Sequence, residues 1–228
     1  PKRVVLDEIQ RVPELMRSIK LSVDQDRRAG RFVLTGSANL LLLPKLSDSL
    51  AGRMSIQQLQ PLTVAEKEGN PGEFLAAWLA GEVRPALLTG KKQPDPSAAA
   101  ARIVAGGFPE AVARTPVRAR AWHRDYLRAL LERDVQDVAR VRDIGVMEKL
   151  TELLALRTGE LLNVSTLSTE LDIRRETVEN YLSICERLFL IRRLRPWHRK
   201  EAKRLIKTPK IHFIDTGLAA TLSGLQVE

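Results

Sequence analysis

Two adjacent carboxylates, Asp7 and Glu8, stand at the end of the first apolar run of the chain. They follow residues 4–6, and a second apolar run, residues 32–34, also ends in small polar residues at 35–37. Uninterrupted aliphatic runs are typical of buried parallel strands, and ligand sites in open α/β sheets form at the carboxyl ends of such strands. In that setting Asp7 would hold a Mg²⁺ ion through its water shell. Glu8 would orient and deprotonate the water that attacks the γ-phosphate of ATP.

These acids match the Walker B half of a P-loop ATPase, but the sequence lacks the phosphate-binding half. A P-loop reads Gly-x-x-x-x-Gly-Lys-Ser/Thr, because backbone N–H groups and the lysine together hold the phosphates. The nearest approach is at Gly90, where the position five residues earlier is Pro85 instead of glycine. We therefore expect a P-loop strand and its helix upstream of Pro1. The alternative interpretation is that Asp7 and Glu8 form only a solvated helix cap.

The composition is typical of a soluble globular protein from a reducing compartment. The chain has 228 residues, of which 44% are apolar and 29% charged, so it is long enough for one large domain or two small ones. Its one cysteine, Cys185, excludes an internal disulfide framework and lies in an apolar helical stretch, which favours a buried structural thiol. The sequence has no signal peptide and no run of 18 apolar residues. We therefore expect a cytoplasmic protein that does not span a membrane.

The positive charge of the chain is concentrated near its C-terminal end. Between Arg192 and Lys210, nine cationic residues stand against one acid, Glu201, so this tract carries nearly all of the formal net charge of +9. Such a concentration favours an anionic partner, and double-stranded DNA is one candidate. The alternative is a solvated loop that keeps the protein soluble.

Residues 163–191 have the pattern of a helix-turn-helix that is followed by the β-wing of a winged helix. Asn163 or Ser165 caps a short helix, Asp172 and Ile173 form the turn, and a longer helix covers residues 174–188. The second helix of this motif enters the major groove of DNA. The predicted DNA contacts are Arg174, Arg175, Asn180, Arg192, Arg193, Arg195, Lys200, Lys203 and Arg204.

Acidic residues in the second helix leave a second interpretation open. Glu176 and Glu179 place negative charge on the face that would meet DNA. Winged helices also serve as protein-interaction modules, so the sequence is compatible with either a DNA or a protein partner.

The rest of the chain supplies elements rather than recognisable chemistry. We predict an edge strand at residues 57–62, a helix at 97–104, a structural turn at 106–110 and a long helix at 121–142. Asp215 follows a final buried strand, but a nuclease site would need further carboxylates and a lysine beside it. The three histidines have no partners at metal-ligand spacing, so we assign no metal to them.

Taken in chain order, these stretches resemble the prokaryotic AAA-like ATPases that are fused to a C-terminal domain of unknown function. That C-terminal domain is regarded as winged-helix-containing and similar to restriction endonucleases. The resemblance spans nearly the whole chain, and the order of its stretches is more specific than any single motif. The matching stretches are residues 6–10 with Pro13, 34–37, 50–53, 106–110, 126–127, 133–135, 177–182 and 207–218.

The resemblance implies roles for five residues of the N-terminal region. Asp7 and Glu8 would be the Walker B acids, and Ser37 or Asn39 would sense the γ-phosphate. Arg53 would be an arginine finger, which stabilises charge on the transferred phosphoryl group from the same chain or from a neighbouring subunit of a homo-oligomer. The alternative for Arg53 is a salt bridge at a helix end or sheet edge. ATP and Mg²⁺ are the implied cofactors.

The predicted fold class is α/β: a partial P-loop ATPase parallel sheet, followed by a helical region and a winged helix-turn-helix. We expect the ATPase half in residues 1–66, a helical linker or lid in 67–120, and a C-terminal domain in 121–228 with the winged helix at about 146–197. The predicted function is an ATPase whose nucleotide state controls a module that binds DNA or a partner. Without a P-loop, this chain alone should bind ATP weakly or not at all. The alternatives are a non-catalytic DNA-binding protein and a protein-interaction adaptor.

Overall fold

The computed structural model describes residues 3–37, 52–69, 74–82, 95–135, 143–199 and 207–225. Four predicted site residues lie outside these ranges: Asn39, Lys200, Lys203 and Arg204. The chain divides into two compact units, one with residues 1–59 and 127–214 and the other with residues 60–126 and 215–228. Within the described ranges, no helix combines the length and the apolar character needed to cross a membrane.

The described elements mix short strands with helices, which confirms an α/β fold. In chain order they are β1 (Val4–Leu6), α1 (Leu15–Gln25), β2 (Phe32–Leu34), α2 (Val64–Lys67), α3 (Phe74–Leu79), α4 (Pro96–Ala105), α5 (Pro109–Val112), α6 (Pro116–Ala129), α7 (Ile144–Leu156), α8 (Val164–Leu171), α9 (Arg175–Arg187), β3 (Ile191–Leu194), β4 (Lys210–Phe213) and α10 (Thr216–Leu222). A 3-10 turn, Ile9–Arg11, follows β1, and a π turn, Leu130–Asp134, follows α6.

The N-terminal region is a strand–helix–strand unit in which β1 and β2 are parallel. Parallel strands need a crossover connection, and α1 supplies it. Ile9, Met16 and Ile19 are buried at the centre of a small core between these elements. On α1, Met16 faces the core, whereas Leu15 is exposed.

The prediction of an edge strand at residues 57–62 is wrong. Residues 54–63 are all described, and they form no strand. Leu59 is fully exposed, and Pro61 has no N–H group that could join a ladder. The Leu62 N–H instead donates to the carbonyl of Gly107 at 2.7 Å, so this backbone is used in a turn contact.

Three helices and a hairpin follow one another in residues 144–213. β3 and β4 pair in an antiparallel manner, and residues 159–162 run beside β4, with the Gly159 N–H donating to the Ile211 carbonyl at 2.6 Å. The predicted cap of α8 is confirmed, because the Asn163 side chain accepts the N–H of Thr166 at 3.1 Å. The chain thus runs from α7 through a short strand-like segment to α8, α9 and the β3–β4 pair.

The turn between α8 and α9 and the core beneath it agree with the sequence pattern. Asp172 ends α8 in the left-handed conformation with φ 51°. Val178, Leu182 and Cys185 of α9 are completely buried. Burial raises the pKa of the Cys185 thiol to about 12. The thiol therefore stays protonated and inert, which confirms its structural role.

The helix predicted at 121–142 has different bounds in the structure. α6 begins five residues earlier, at Pro116, and passes into the π turn at Leu130. Proline is well suited to the first turn of a helix, because its missing N–H would have no intrahelical partner there. Residues 136–142 lie outside the described ranges.

Candidate functional site

The parallel register of β1 and β2 places their polar ends side by side. Leu6 lies opposite Leu34, the Thr35 N–H donates to the Leu6 carbonyl at 2.9 Å, and the Ile9 N–H donates to the Thr35 carbonyl at 3.1 Å. The Thr35 hydroxyl donates to Asp7 Oδ1. Thr35 carried no predicted role, although its place directly after β2 was a signal that would have identified it.

A small network of polar side chains holds Glu8. Gln10 Nε2 donates to Glu8 Oε2 and lies 3.1 Å from Ser37 Oγ, while the Ser37 hydroxyl lies 3.4 Å from Glu8 Oε2. The Glu8 backbone is left-handed with φ 53°, which is uncommon for a residue with a Cβ. The chain turns there because the next residue, Ile9, is 2% exposed and belongs to the core.

The structure therefore brings Asp7, Glu8 and Ser37 to one edge of the strand pair. Their roles in nucleotide chemistry remain predictions. Gln10 also belongs to this group. It lies in the matching stretch 6–10 but had no predicted role, because a side-chain amide two residues after an acid does not by itself indicate a function.

Oxygen atoms dominate this edge, and oxygen is the ligand that Mg²⁺ prefers. Asp7 is exposed and Glu8 is partly exposed, so solvent reaches both carboxylates. Within the described ranges, no group of three or more His, Cys, Asp or Glu is placed to hold a metal ion. The residues present therefore fit a Mg²⁺ ion that keeps most of its water and is shared with phosphate oxygens, rather than an ion enclosed by protein ligands.

Arg53 forms a salt bridge, which was the alternative to the predicted arginine-finger role. Its Nε lies 2.6 Å from Asp24 Oδ1, near the C-terminal end of α1, and its Nη2 lies 3.3 Å from Asp24 Oδ2. The hydrogen bond from Arg53 lowers the pKa of Asp24. Both side chains are about one-third exposed, so water screens the pair. The arginine-finger role stays a prediction, and Asp24 is the partner that Arg53 would have to leave.

The predicted DNA-contacting residues in the described ranges fall into two groups. Arg193 is half-buried and donates to Glu179 Oε2 at 2.9 Å and to Glu186 Oε2 at 2.7 Å. Both acids belong to α9, so Arg193 ties β3 to that helix, and the negative charge of Glu179 is paired with a cation. The exposed members are Arg174, Arg175, Asn180, Arg192 and Arg195.

Asp215 serves the fold of the second unit. Its Oδ1 accepts the N–H of Leu218 at 2.9 Å at the start of α10, and its Oδ2 accepts the N–H of Gly107 at 2.6 Å. A Cβ on Gly106 would lie 2.8 Å from Asp215 Oδ2, and a Cβ on Gly107 would lie 2.9 Å from the Leu62 nitrogen. These close approaches require glycine at both positions, in agreement with the structural turn predicted at residues 106–110.

Comparisons with known proteins match two parts of the chain to two families. Residues 97–228 match a domain of unknown function (DUF8612), and residues 1–67 match an AAA domain. Uncharacterized proteins of Mycobacterium bovis and Mycobacterium tuberculosis are each 29% identical to the chain over 222 residues, which is 97% of this chain and 44% of each relative. The chain thus spans less than half the length of these relatives.

No solved structure matches the chain. The AAA match coincides with the strand pair that carries Asp7 and Glu8, so the N-terminal region is AAA-like. The longer match extends from α4 to the end of the chain and covers more than half of its 228 residues. The chain therefore belongs to the family defined by the domain of unknown function DUF8612.

Proposed function

We propose that the AAA-like region forms part of an ATPase site in which Asp7 holds Mg²⁺ through water and Glu8 activates the attacking water. One observation carries the proposal: the two acids at the end of β1 share an edge with the Thr35 and Ser37 hydroxyl groups at the end of β2. Thr35 would fix the Asp7 carboxylate, and Ser37 would meet the γ-phosphate. Bound Mg²⁺ would neutralise negative charge on the phosphates.

Two further residues complete this proposal. Asn39 is the alternative sensor of the γ-phosphate. Arg53 would release Asp24 and reach the transferred phosphoryl group, either within one chain or across a homo-oligomer. The Asp24 pair is exposed enough to open at small cost.

The direct test is Mg²⁺-dependent ATP hydrolysis by the full-length protein, measured for the wild type, Glu8→Gln and Glu14→Gln. Glu14 is an exposed glutamate at the start of α1 and makes no capping hydrogen bond, so its variant controls for loss of charge. We expect Glu8→Gln to lower kcat by at least about 100-fold and to spare nucleotide binding, because the amide cannot accept the proton of water. Equal turnover in the two variants would contradict the role of Glu8.

A second proposal concerns residues 144–213, which we interpret as a winged helix. The order of three helices and an antiparallel hairpin supports it, as does the strand-like segment 159–162 beside β4. In this interpretation α9 is the recognition helix. Exposed arginines at its start, Arg174 and Arg175, and on the hairpin, Arg192 and Arg195, favour contact with the phosphates of double-stranded DNA.

Salt dependence tests the DNA proposal, because each phosphate contact releases counterions. The logarithm of the binding constant should fall with the logarithm of salt concentration at a slope of about −0.9 per contact. We expect the double variant Arg174→Glu with Arg175→Glu to lower affinity for duplex DNA strongly. The matched control is Arg17→Glu with Arg27→Glu, two exposed arginines of the N-terminal region. Equal affinity in both double variants would favour a protein-interaction adaptor instead.

The complete proposal is an ATPase whose nucleotide state controls this C-terminal module. A protein that binds DNA with the expected salt slope but never hydrolyses ATP would instead be a non-catalytic DNA-binding protein. If the protein hydrolyses ATP but does not bind DNA, the same surface would instead bind a protein partner.

A further inference from the structure

Gln10 occupies a position between two of the proposed site residues. Its side-chain amide has two N–H groups, and Nε2 contacts both Glu8 Oε2 and Ser37 Oγ, the latter at 3.1 Å. Rotating the amide by half a turn would place its carbonyl oxygen against the Glu8 carboxylate, which repels it. Donation from Nε2 is therefore the favourable orientation.

The carbonyl oxygen of the same amide, unlike its nitrogen, has no hydrogen-bond partner among the described residues. This oxygen, Gln10 Oε1, is buried. A buried acceptor without a partner costs stability, so an amide at this position is not explained by folding alone. What the amide gains in return is the contact with Glu8.

The backbone around Glu8 supports the same conclusion. Glu8 is left-handed, and the 3-10 turn that follows it is anchored by buried Ile9. The turn fixes the distance between Gln10 and Glu8, and such rare backbone conformations cluster at functional sites. Arg11 also forms an ion pair with this carboxylate, with its Nε 3.9 Å from Glu8 Oε2, whereas the neutral amide of Gln10 donates a hydrogen bond to the same oxygen.

We propose that Gln10 is the positioning residue for Glu8 in the reaction. Its amide holds Oε2 of the carboxylate and links it to Ser37, so that Oε1 is directed to the attacking water. Because the Gln10 amide is neutral, it orients the carboxylate without placing a second positive charge beside it, which would weaken Glu8 further as a base. This inference rests on the proposed ATPase function.

The experiment compares ATP hydrolysis by the full-length wild type with Gln10→Leu, Gln10→Glu, Glu8→Gln and the control Gln25→Leu. Gln25 is an exposed glutamine at the end of α1. Gln10→Glu keeps the shape of the side chain, so it remains informative where Gln10→Leu fails to fold. We expect both Gln10 variants to lower kcat by about 10- to 100-fold. Gln10→Leu, which adds no charge beside the phosphates, should change the KM for ATP by less than about twofold. A merely structural role would not separate kcat from KM.

A second measurement does not depend on turnover. In ¹⁵N–¹H spectra, the side-chain amide resonances of Gln10 are those lost in Gln10→Leu. Glu8→Ala should move them upfield because their charged acceptor is gone, and Glu14→Ala should leave them in place. If the chemical shifts of the Gln10 amide do not change in Glu8→Ala, the inference is overturned.

The outcomes separate the two proposals. If Glu8→Gln abolishes turnover and both Gln10 variants keep wild-type kcat, the positioning role is wrong and the ATPase proposal stands. If the wild type does not hydrolyse ATP, or Glu8→Gln hydrolyses it normally, the ATPase proposal is wrong. A shift of the Gln10 resonances in that case would show that the contact is only structural, and the positioning role would be wrong as well.

Discussion

His123 shows how a single buried residue of the second unit responds to its surroundings. It is completely buried, with Nε2 3.9 Å from Asp215 Oδ1 and Nδ1 3.4 Å from Thr221 Oγ1. Burial lowers the pKa of His123 because the imidazolium loses its hydration, and the Asp215 carboxylate opposes this effect only in part. The folded protein therefore keeps His123 neutral at pH values where the unfolded chain binds a proton.

The resulting prediction is a loss of stability in mild acid. The folded-state pKa lies below the ordinary value of 6.5, so the stabilisation is complete above pH 6.5 and is lost as the pH falls toward the folded-state pKa. Urea unfolding between pH 7.5 and 5.5 measures the free energy of unfolding. His123→Gln should flatten its dependence on pH, whereas His198→Gln, a change at a half-exposed histidine, should retain it. An unchanged slope in His123→Gln would contradict this assignment.

At the scale of elements, Arg193 connects the hairpin to the proposed recognition helix. Its side chain is 24% exposed, and it bridges Glu179 and Glu186 of α9. Arg193→Met would leave two half-buried acids without their cation. We expect the free energy of unfolding to fall by about 1–2 kcal/mol, between the values for exposed and buried pairs.

Arg192 provides the matched control, because it is the exposed neighbour of Arg193 on β3. Arg192→Met should change stability by less than about 0.5 kcal/mol. It should also reduce the salt slope of DNA binding by about 1, as expected for a lost phosphate contact, and Arg193→Met should leave that slope unchanged. If instead Arg193→Met reduced the salt slope of DNA binding and Arg192→Met did not, Arg193 would have to leave Glu179 and Glu186 to bind DNA.

Elements with local signals were predictable from the sequence. The helix expected at 97–104 is observed as Pro96–Ala105, and the Asn163 cap stands where its residue type indicated. Caps and helical periodicity depend on neighbouring residues, so the sequence carries them directly. The prediction of a strand at 57–62 was wrong because a strand forms only when it pairs with a neighbouring strand. The apolar residues of one segment cannot show whether such a neighbour is present.

At the scale of the whole molecule, the contacts that escaped prediction join distant parts of the chain. Gln10 and Ser37 are 27 residues apart, and Gly107 and Asp215 are 108 residues apart. The ends of β1 and β2 could be predicted as a candidate site because parallel strands share an edge. The side chains that orient Asp7 and Glu8 could not, because their roles depend on register and rotamer.

Each compact unit is likewise built from segments that are distant in sequence, since residues 215–228 group with residues 60–126. Composition changes along a chain locate linkers, but they carry no signal for the return of a terminal segment to an earlier one. The predicted domain limits at 66 and 120 therefore remain predictions.

The proposed control of DNA binding by nucleotide is a statement about the whole molecule, and it has a quantitative consequence. Coupling between two sites is reciprocal, so ATP must change the affinity for DNA by the same factor by which DNA changes the affinity for ATP. Glu8→Gln is the suitable background, because it should bind ATP without consuming it. In the full-length variant we expect a common factor of about 5- to 150-fold, the usual range of such coupling.

Both dissociation constants are measured at one salt concentration, because salt alone changes DNA affinity. Adding Arg174→Glu and Arg175→Glu should remove DNA binding and leave the affinity for ATP as it was without DNA. If both ligands bind Glu8→Gln but neither changes the affinity for the other, the two activities are independent and nucleotide does not control this module. If the factors are equal and differ from one, a single equilibrium links the edge that carries Asp7 to the surface of α9.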